Sequence, residues 1–316
     1  MPDPFAEQRA LASGDAAVLV SAGVATVTGS DRVAVLNNVL TQKIDVPAGS
    51  SCDSLELDGN GRILKVVHVI VTNASLVLIV PGLSGAEIAA WVDSRVFLED
   101  VSATDSDSEF VVLGAVKGFG DTVWRDPWPE PQAGGFVYDM DRVEGWSYVE
   151  SLWPATEKPP VPVVAASTLD AARIIAGRPA LAEVDERALP HELGWLRTAV
   201  HLSKGCFPGQ ETIAKIHNVG HPPRRLVRLH LDGSDSEFAE PGDAVVLGDV
   251  EIGVVTTAAN HHEDGPIALA VIKRTADPDA TLTVMRNGHP ISATQEVVVS
   301  PTTGATAAER LRPNRL

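Results

Sequence analysis

Acidic residues outnumber basic ones 42 to 25 in this 316-residue chain, and the resulting formal charge of −17 disfavours broad binding to a phosphate backbone. Hydrophobic residues at 44% and charged residues at 21% lie near soluble averages, which sets a disordered chain aside. The longest apolar run, around Val66 to Val80, is broken by His68, Thr72, Asn73 and Ser75, so it reads as adjacent strands and not as a membrane span.

In chain order, MPDPFAEQRAL lacks a basic region followed by an apolar stretch, and a cytoplasmic location without a secretory signal is expected. Residues 15–28 read as a strand, followed by Gly29-Ser30-Asp31 as turn and N-cap and by a short helix in RVAVLNNVLTQ. The stretch SLELDGNGRILKVVHVIVTNASLVLIVPG carries two turn clusters between three β-rich runs and predicts an antiparallel meander. SGAEIAAWVDSRVF predicts a helix capped by Ser84, and FVVLGAV another strand. Residues 124–162, dense in Pro and Trp, read as an ordered but irregular surface passage. STLDAARIIAG predicts a helix capped by Ser167 and closed at Gly177.

Composition shifts at HPPRR. From Leu226 to about Val299, six short β-rich runs (RLVRLHL, DAVVLG, EIGVVTTAA, IALAVIK, TLTVM, QEVVVS) predict a small antiparallel β-barrel or sandwich. A first part over residues 1–222 is thus expected ahead of this β-rich part over 223–302, with a mobile tail over 303–316.

Several chemistries find no matching pattern. Cys52 and Cys206 are too few for a disulfide framework or a cluster-holding thiolate set, and both are expected reduced. His217 and His221 would share a helical face, but Gly220 and Pro222 end the helix, and no metal site is expected. Neither a G-x-S-x-G elbow nor a P-loop is present.

KGCFPGQET, residues 204–212, remains. Pro208-Gly209 turns the chain ahead of a helix in QETIAKIH, leaving Cys206 just before a helix N-terminus with Lys204 two residues away. That setting favours a thiolate. A small Cys simply filling a turn is the competing reading, and the residues alone leave both open.

The stretch from RIIAGRPALAEVDERALPHELGWL through SKGCFPGQETIAKIHNVGHPPRRLVRLHL resembles the signature region of YgfZ-type folate-binding proteins, relatives of the glycine cleavage T-protein (aminomethyltransferase), and with the upstream pieces the resemblance covers most of residues 20–300. The hallmark K-G-C-[FY]-x-G-Q-E maps to Lys204, Gly205, Cys206, Phe207, Gly209, Gln210 and Glu211, and VTGSDRVAVLNNVLTQKID and LELDGNGRIL also fit. The resemblance implies an α+β fold of three subdomains in a ring around a central channel, with residues 1–222 as a bipartite folate-binding module of two interleaved subdomains and residues 223–302 as the C-terminal antiparallel β-barrel. It further implies tetrahydrofolate or a related pterin-like ligand and a role in assembling or maintaining iron–sulfur enzymes, including those of tRNA modification. On this reading Cys206 and Lys204 form the reactive pair, and Gly205, Gly209, Gln210, Glu211 and Arg173 face the ligand.

Two departures stand out. Lys65 and Val66 occupy the place of the T-protein Asp-Asp pair, which weakens the alternative of a one-carbon transferase because Val66 cannot move a proton. Ile175 stands where the family carries a Glu toward the pterin edge. A second alternative is a non-catalytic ligand sensor or scaffold.

Overall fold

The computed structural model describes residues 3–138, 145–234 and 237–306. It opens on a helix that the sequence pattern did not announce, α1 (Pro4–Ser13). Asp3 accepts from Phe5 N at 3.0 Å, Pro4 fills the first turn and Gly14 closes the end at φ 78°. Residues 15–28, expected as one strand, divide into β1 (Ala17–Leu19) and β2 (Ala22–Thr28), which enter different sheets. After α2 (Arg32–Val39) the expected meander forms as β3 (Ser51–Leu57), β4 (Ile63–Val71) and β5 (Leu76–Pro81). Asp31 precedes α2 without capping it, because its carboxylate accepts from Asp100 N at 2.8 Å instead.

Then come α3 (Gly85–Asp93), with the expected Ser84 cap completed by Glu87 into a capping box, and β6 (Ser102–Asp105). β7 (Phe110–Ala115), β8 (Val123–Arg125), β9 (Val149–Pro154) and β10 (Val163–Val164) lead to α4 (Ser167–Ile175). Ser167 is the first residue of α4 and not its cap. The helix start is served by Glu7 of α1, which accepts from Ala165 N at 3.2 Å and the Thr168 hydroxyl at 3.3 Å. α5 (Gln210–Val219) ends at Gly220, as the sequence predicts.

The first sheet runs β3-β4-β5-β2-β6 and the second β10-β1-β7-β9-β8. β4 is sandwiched, which explains its nearly continuous apolar run. Its alternation sends Val67, Val69 and Val71 toward Leu36 of α2, Leu40 just after it, and Ile88 and Trp91 of α3. The other face sends Ile70 into a cluster with Val112, Trp124, Tyr148 and Leu152 of the second sheet. Val66 and His68 share that inter-sheet face.

The Pro- and Trp-rich passage corrects an expectation. Parts of it are exposed, but it also holds β8 and β9 and buries Trp124 and Trp128 completely, both at 0% exposure, and its residues 139–144 lie outside the described residues. Prolines break its regularity, while the indoles bury large apolar area and find acceptors: Trp124 Nε1 donates to Cys52 O and Trp128 Nε1 to Ala176 O, each at 2.9 Å.

The six β-rich runs form a closed antiparallel barrel, in which β11 (Arg224–Leu231), β12 (Ala244–Leu247), β13 (Val250–His261), β14 (Gly265–Lys273), β15 (Leu282–Arg286) and β16 (His289–Val297) pair in the order β11-β14-β13-β12-β15-β16. The last strand starts earlier than its run suggested, because Asn287 and Gly288, at φ 49° and 84°, make a tight turn that pairs Arg286 with His289. Barrel and helix are tied by Arg173 of α4, which donates to Thr257 Oγ1 at 2.5 Å, and by Glu183, which accepts from Thr256 and Thr257 at 2.9 and 2.7 Å. The first residues assigned to the tail pack on α5, with Ala305 N donating to Ile216 O at 3.2 Å and Thr306 Oγ1 to His217 O at 2.9 Å. The rest of that expected tail lies outside the described residues.

Candidate functional site

A cavity of about 410 Å³ opens where the two sheets meet α4 and the 178–182 segment. β4 contributes Val66 and His68, β8 contributes Trp124, and β9 with its approach contributes Trp146, Tyr148 and Glu150. His68 Nδ1 lies 2.7 Å from Glu150 Oε2, and the Tyr148 hydroxyl donates to Glu150 Oε1 at 3.2 Å. The His68 ring stacks on Trp124 with centroids 3.8 Å apart and planes 7° from parallel. Burial alone would push His68 down, but the charge and hydrogen bond of Glu150, with Asp53 behind them, raise it above the ordinary imidazole value. Burial, reinforced by Glu150, holds the Tyr148 phenol well above its usual range.

Beneath this group, Arg178 joins the two sheets. Its Nη2 donates to Asp53 of β3 and its Nε to Asp126 after β8, both at 2.9 Å, and Trp146 Nε1 donates to the same Asp126 oxygen at 3.0 Å. The guanidinium lies over Trp128, 5.3 Å from the ring centre.

Of the residues singled out in the sequence, Arg173 lines this cavity, while Lys204, Gly205, Cys206, Gly209, Gln210 and Glu211 do not. Arg173 is 5% exposed, and its N–H groups go to Asp170, Glu183 and Thr257 at 2.9, 2.8 and 2.5 Å. The signature turn instead seats on the β3–β4 hairpin. Gly209 has φ 77°, and a Cβ there would stand 2.6 Å from Asp58 O and 2.7 Å from Gly61 Cα. Two segments that the sequence marked separately are thus one structural unit, joined backbone to backbone. Phe207 is buried in the central core with Val66, Trp128 and Ile213, Glu211 sits exposed in the first turn of α5 and Gln210 N donates to Phe207 O at 3.3 Å. Cys206 is exposed and Cys52 buried, both as free thiols.

Lys204 reaches back to α2. Its ammonium donates to the carbonyls of Asn37, Leu40 and Gln42 at 2.6, 2.5 and 3.1 Å, satisfying the helix C-terminus from another segment. Burial pushes it down to about 8, with Cys52 opposing. Because the unfolded chain holds this proton more tightly, stability is expected to rise with pH from about 8 to the ordinary lysine range. Denaturant titrations across that window check this: Lys204→Met should flatten the rise.

Lys65 turns away from the cavity to pair with Glu56 and lies over the Trp91 ring at 5.1 Å, so Val66 alone of that pair addresses the cavity. Ile175 lines a smaller adjoining cavity of about 190 Å³, which shares Trp146 and Tyr148 with the larger one. His217 pairs with the Tyr138 hydroxyl and His221 with Thr303 O, each through Nδ1, at 2.5 and 2.8 Å. Among the described residues no three His, Cys, Asp or Glu side chains gather as a metal group.

Comparison with known proteins gives the arrangement its relatives. The crystal structure of glycine cleavage system aminomethyltransferase T from Bartonella henselae superposes with a TM-score of 0.72 at 17% identity, covering 93% of this chain and 88% of that one. The chain has the T-protein fold. A protein of Arabidopsis thaliana named "Putative transferase, chloroplastic" is 24% identical over 281 residues, which is 79% of this chain. The chain spans 63% of that relative's length. No protein-family model matches. Among the described residues no helix is long and apolar enough to cross a membrane.

His68, Glu150, Tyr148 and Trp124 were missed as site residues. The available signal was ionisable residues interrupting apolar strands, His68 in VVHVIV and Glu150 in VESLW. A sandwiched strand tolerates such a residue only where it meets a partner or a cavity.

Proposed function

We propose that the chain binds a tetrahydrofolate-type ligand in the 410 Å³ cavity and works in the cytoplasm as a transferase-like accessory factor that supports iron–sulfur enzymes, tRNA-thiolating ones among them. The observation carrying the ligand assignment is the cavity's chemistry in a T-protein fold. Trp146, Tyr148 and the His68 ring backed by Trp124 supply aromatic walls for a flat heterocycle, and Glu150 and Asp170 supply acceptors for the ring N–H and exocyclic amine of a pterin. Tetrahydrofolate would bring the one-carbon carrier nitrogens, and Val66, His68 and Glu150 would lie around it.

An accessory role is favoured over aminomethyl transfer by Val66, an apolar group on the wall where the resemblance expects a carboxylate. Cys206 serves as the functional thiol in this reading, and its exposure suits contact with a partner enzyme's cluster. One-carbon transfer is the second reading, favoured by the His68–Glu150 pair within the same cavity.

Two measurements test the proposal. Titration calorimetry should give heat with reduced folates and weaker heat with oxidised folate; no heat with any folate removes the ligand assignment. In a deletion strain, Cys206→Ala is expected to leave iron–sulfur enzyme activity well below that restored by the unaltered protein. Full restoration would remove the thiol from the mechanism.

A further inference from the structure

The cavity contains a histidine–carboxylate pair to which neither the T-protein likeness nor the signature turn gives a role. His68 follows Val66 by two residues on β4, on the same face of the strand. It is fixed from two sides: Glu150 holds Nδ1 at 2.7 Å and Trp124 stacks on the ring. Trp124 is itself anchored by its bond to Cys52 O, and Glu150 by the Tyr148 hydroxyl. A carboxylate only accepts, so His68 Nδ1 carries the hydrogen. Nε2 has no hydrogen-bond partner among the described residues. A carboxylate that orients an imidazole and stabilises its protonated form is the arrangement by which a histidine gains and loses protons in place.

We propose that His68 exchanges a proton with a basic ring nitrogen of the heterocycle bound in this cavity, with Glu150 as the positioning residue. In the forward direction the Nε2–H bond of the imidazolium breaks as an N–H bond forms on the ligand, and the imidazole stays neutral with Nδ1–H still on Glu150. The reverse step restores the imidazolium. This rests on the folate reading and names the acid–base group of that site. It also accounts for Val66: the proton-handling group stands two residues further along the strand, where β9 can supply its partner. The charged groups facing the imidazole are Glu150 and Asp53, which favour its proton, and Arg178, which opposes it. The net balance lies on the protonated side of an ordinary histidine.

Calorimetry of the full-length protein with tetrahydrofolate and with 5-formyltetrahydrofolate, repeated in buffers of different ionisation enthalpy from pH 6 to 8, tests this. Transfer within the complex exchanges nothing with the buffer, so a buffer-dependent heat is expected toward pH 8, where the part-neutral free imidazole takes up from solvent the proton that it passes to the ligand. His68→Gln should abolish that dependence and weaken binding about tenfold, and Glu150→Gln should weaken binding as well and shift the midpoint of the remaining dependence to lower pH. Net proton exchange unchanged in His68→Gln overturns the inference and leaves the folate reading standing. Absence of binding in the unaltered protein overturns both. Should the substitutions fail to fold, the ¹⁵N resonances of His68 in the unaltered protein decide. An Nε2 signal that moves from the protonated toward the unprotonated range on adding tetrahydrofolate, and does not do so with 5-formyltetrahydrofolate, whose formylated nitrogen is not basic, supports the exchange, and one that stays in place with tetrahydrofolate overturns it.

Discussion

Arg178→Met is expected to lower the unfolding free energy by about 3–5 kcal/mol. The guanidinium is buried and bonds two carboxylates that are themselves buried, Asp53 of the first sheet and Asp126 beside the second, at 2.9 Å each. Methionine matches much of the stem but leaves both carboxylates without their cation. Thr198 Oγ1, 3.2 Å from Asp53, can donate to one of them but brings no charge. In a chain of this size the loss corresponds to a melting temperature lower by roughly 10 °C.

The variant should also acquire a pH signature. Burial already pushes the Asp53 carboxyl up, with Arg178 opposing, so removing Arg178 drives it further up. A folded state that holds a proton more tightly than the unfolded chain gains stability as pH falls. The deficit of Arg178→Met is therefore expected to be smaller at pH 5 than at pH 7.5 in parallel denaturant titrations. An equal deficit at both would show that the lost cation–π packing on Trp128 dominates instead. Arg178→Lys is expected to fall between, since a single ammonium cannot present the fork that spans two carboxylates in different sheets.

The elements that could be read from sequence are those whose evidence is local. The β3–β4 hairpin follows from Asp58, whose carboxylate accepts from Asn60 N and Arg62 N, both at 2.8 Å, and from Gly61 at φ 80°. The capping box of α3 and the end of α5 at Gly220 rest on equally short-range chemistry. The barrel runs could be counted because Gly, Pro and Asn punctuate them. Where long-range pairing decides, local pattern misleads: Val20 and Ser21 look like strand, yet β1 leaves for β7 while β2 stays with β5. Trp124 and Trp128 sit among prolines that suggest surface, yet the space between the sheets claims both.

The candidate site divides in the same way. KGCFPGQE could be recognised as a turn before a helix, and its glycine at 209 as a close-approach residue. That the turn seats on the hairpin, away from the cavity wall, depends on a contact across some 150 positions of chain between Gly209 and Asp58. His68 and Glu150, 82 positions apart, meet only because β4 and β9 face each other across the sheets. Sequence spacing carries no trace of that.

Gly209→Ala and Gly205→Ala, four residues apart in one motif, are expected to behave oppositely. A Cβ on Gly205 would meet no heavy atom within 4 Å, and the residue has no positive φ, so alanine there should change stability by about 0.5 kcal/mol or less. At Gly209 the backbone is left-handed, a conformation that costs an L-residue about 1–2 kcal/mol. Its Cβ would also meet Asp58 O at 2.6 Å and Gly61 N at 2.9 Å, backbone atoms that cannot rotate aside. The total loss should exceed about 2 kcal/mol, and hydrogen exchange should quicken in the β3–β4 turn and the first turn of α5 before it does in the barrel. The pair also bears on the thiol. If Cys206 acts through the geometry of its turn, Gly209→Ala should fail to restore iron–sulfur enzyme activity in a deletion strain at a temperature where it remains folded, and Gly205→Ala should restore it. Equal restoration by both variants would assign the turn's glycines to folding alone.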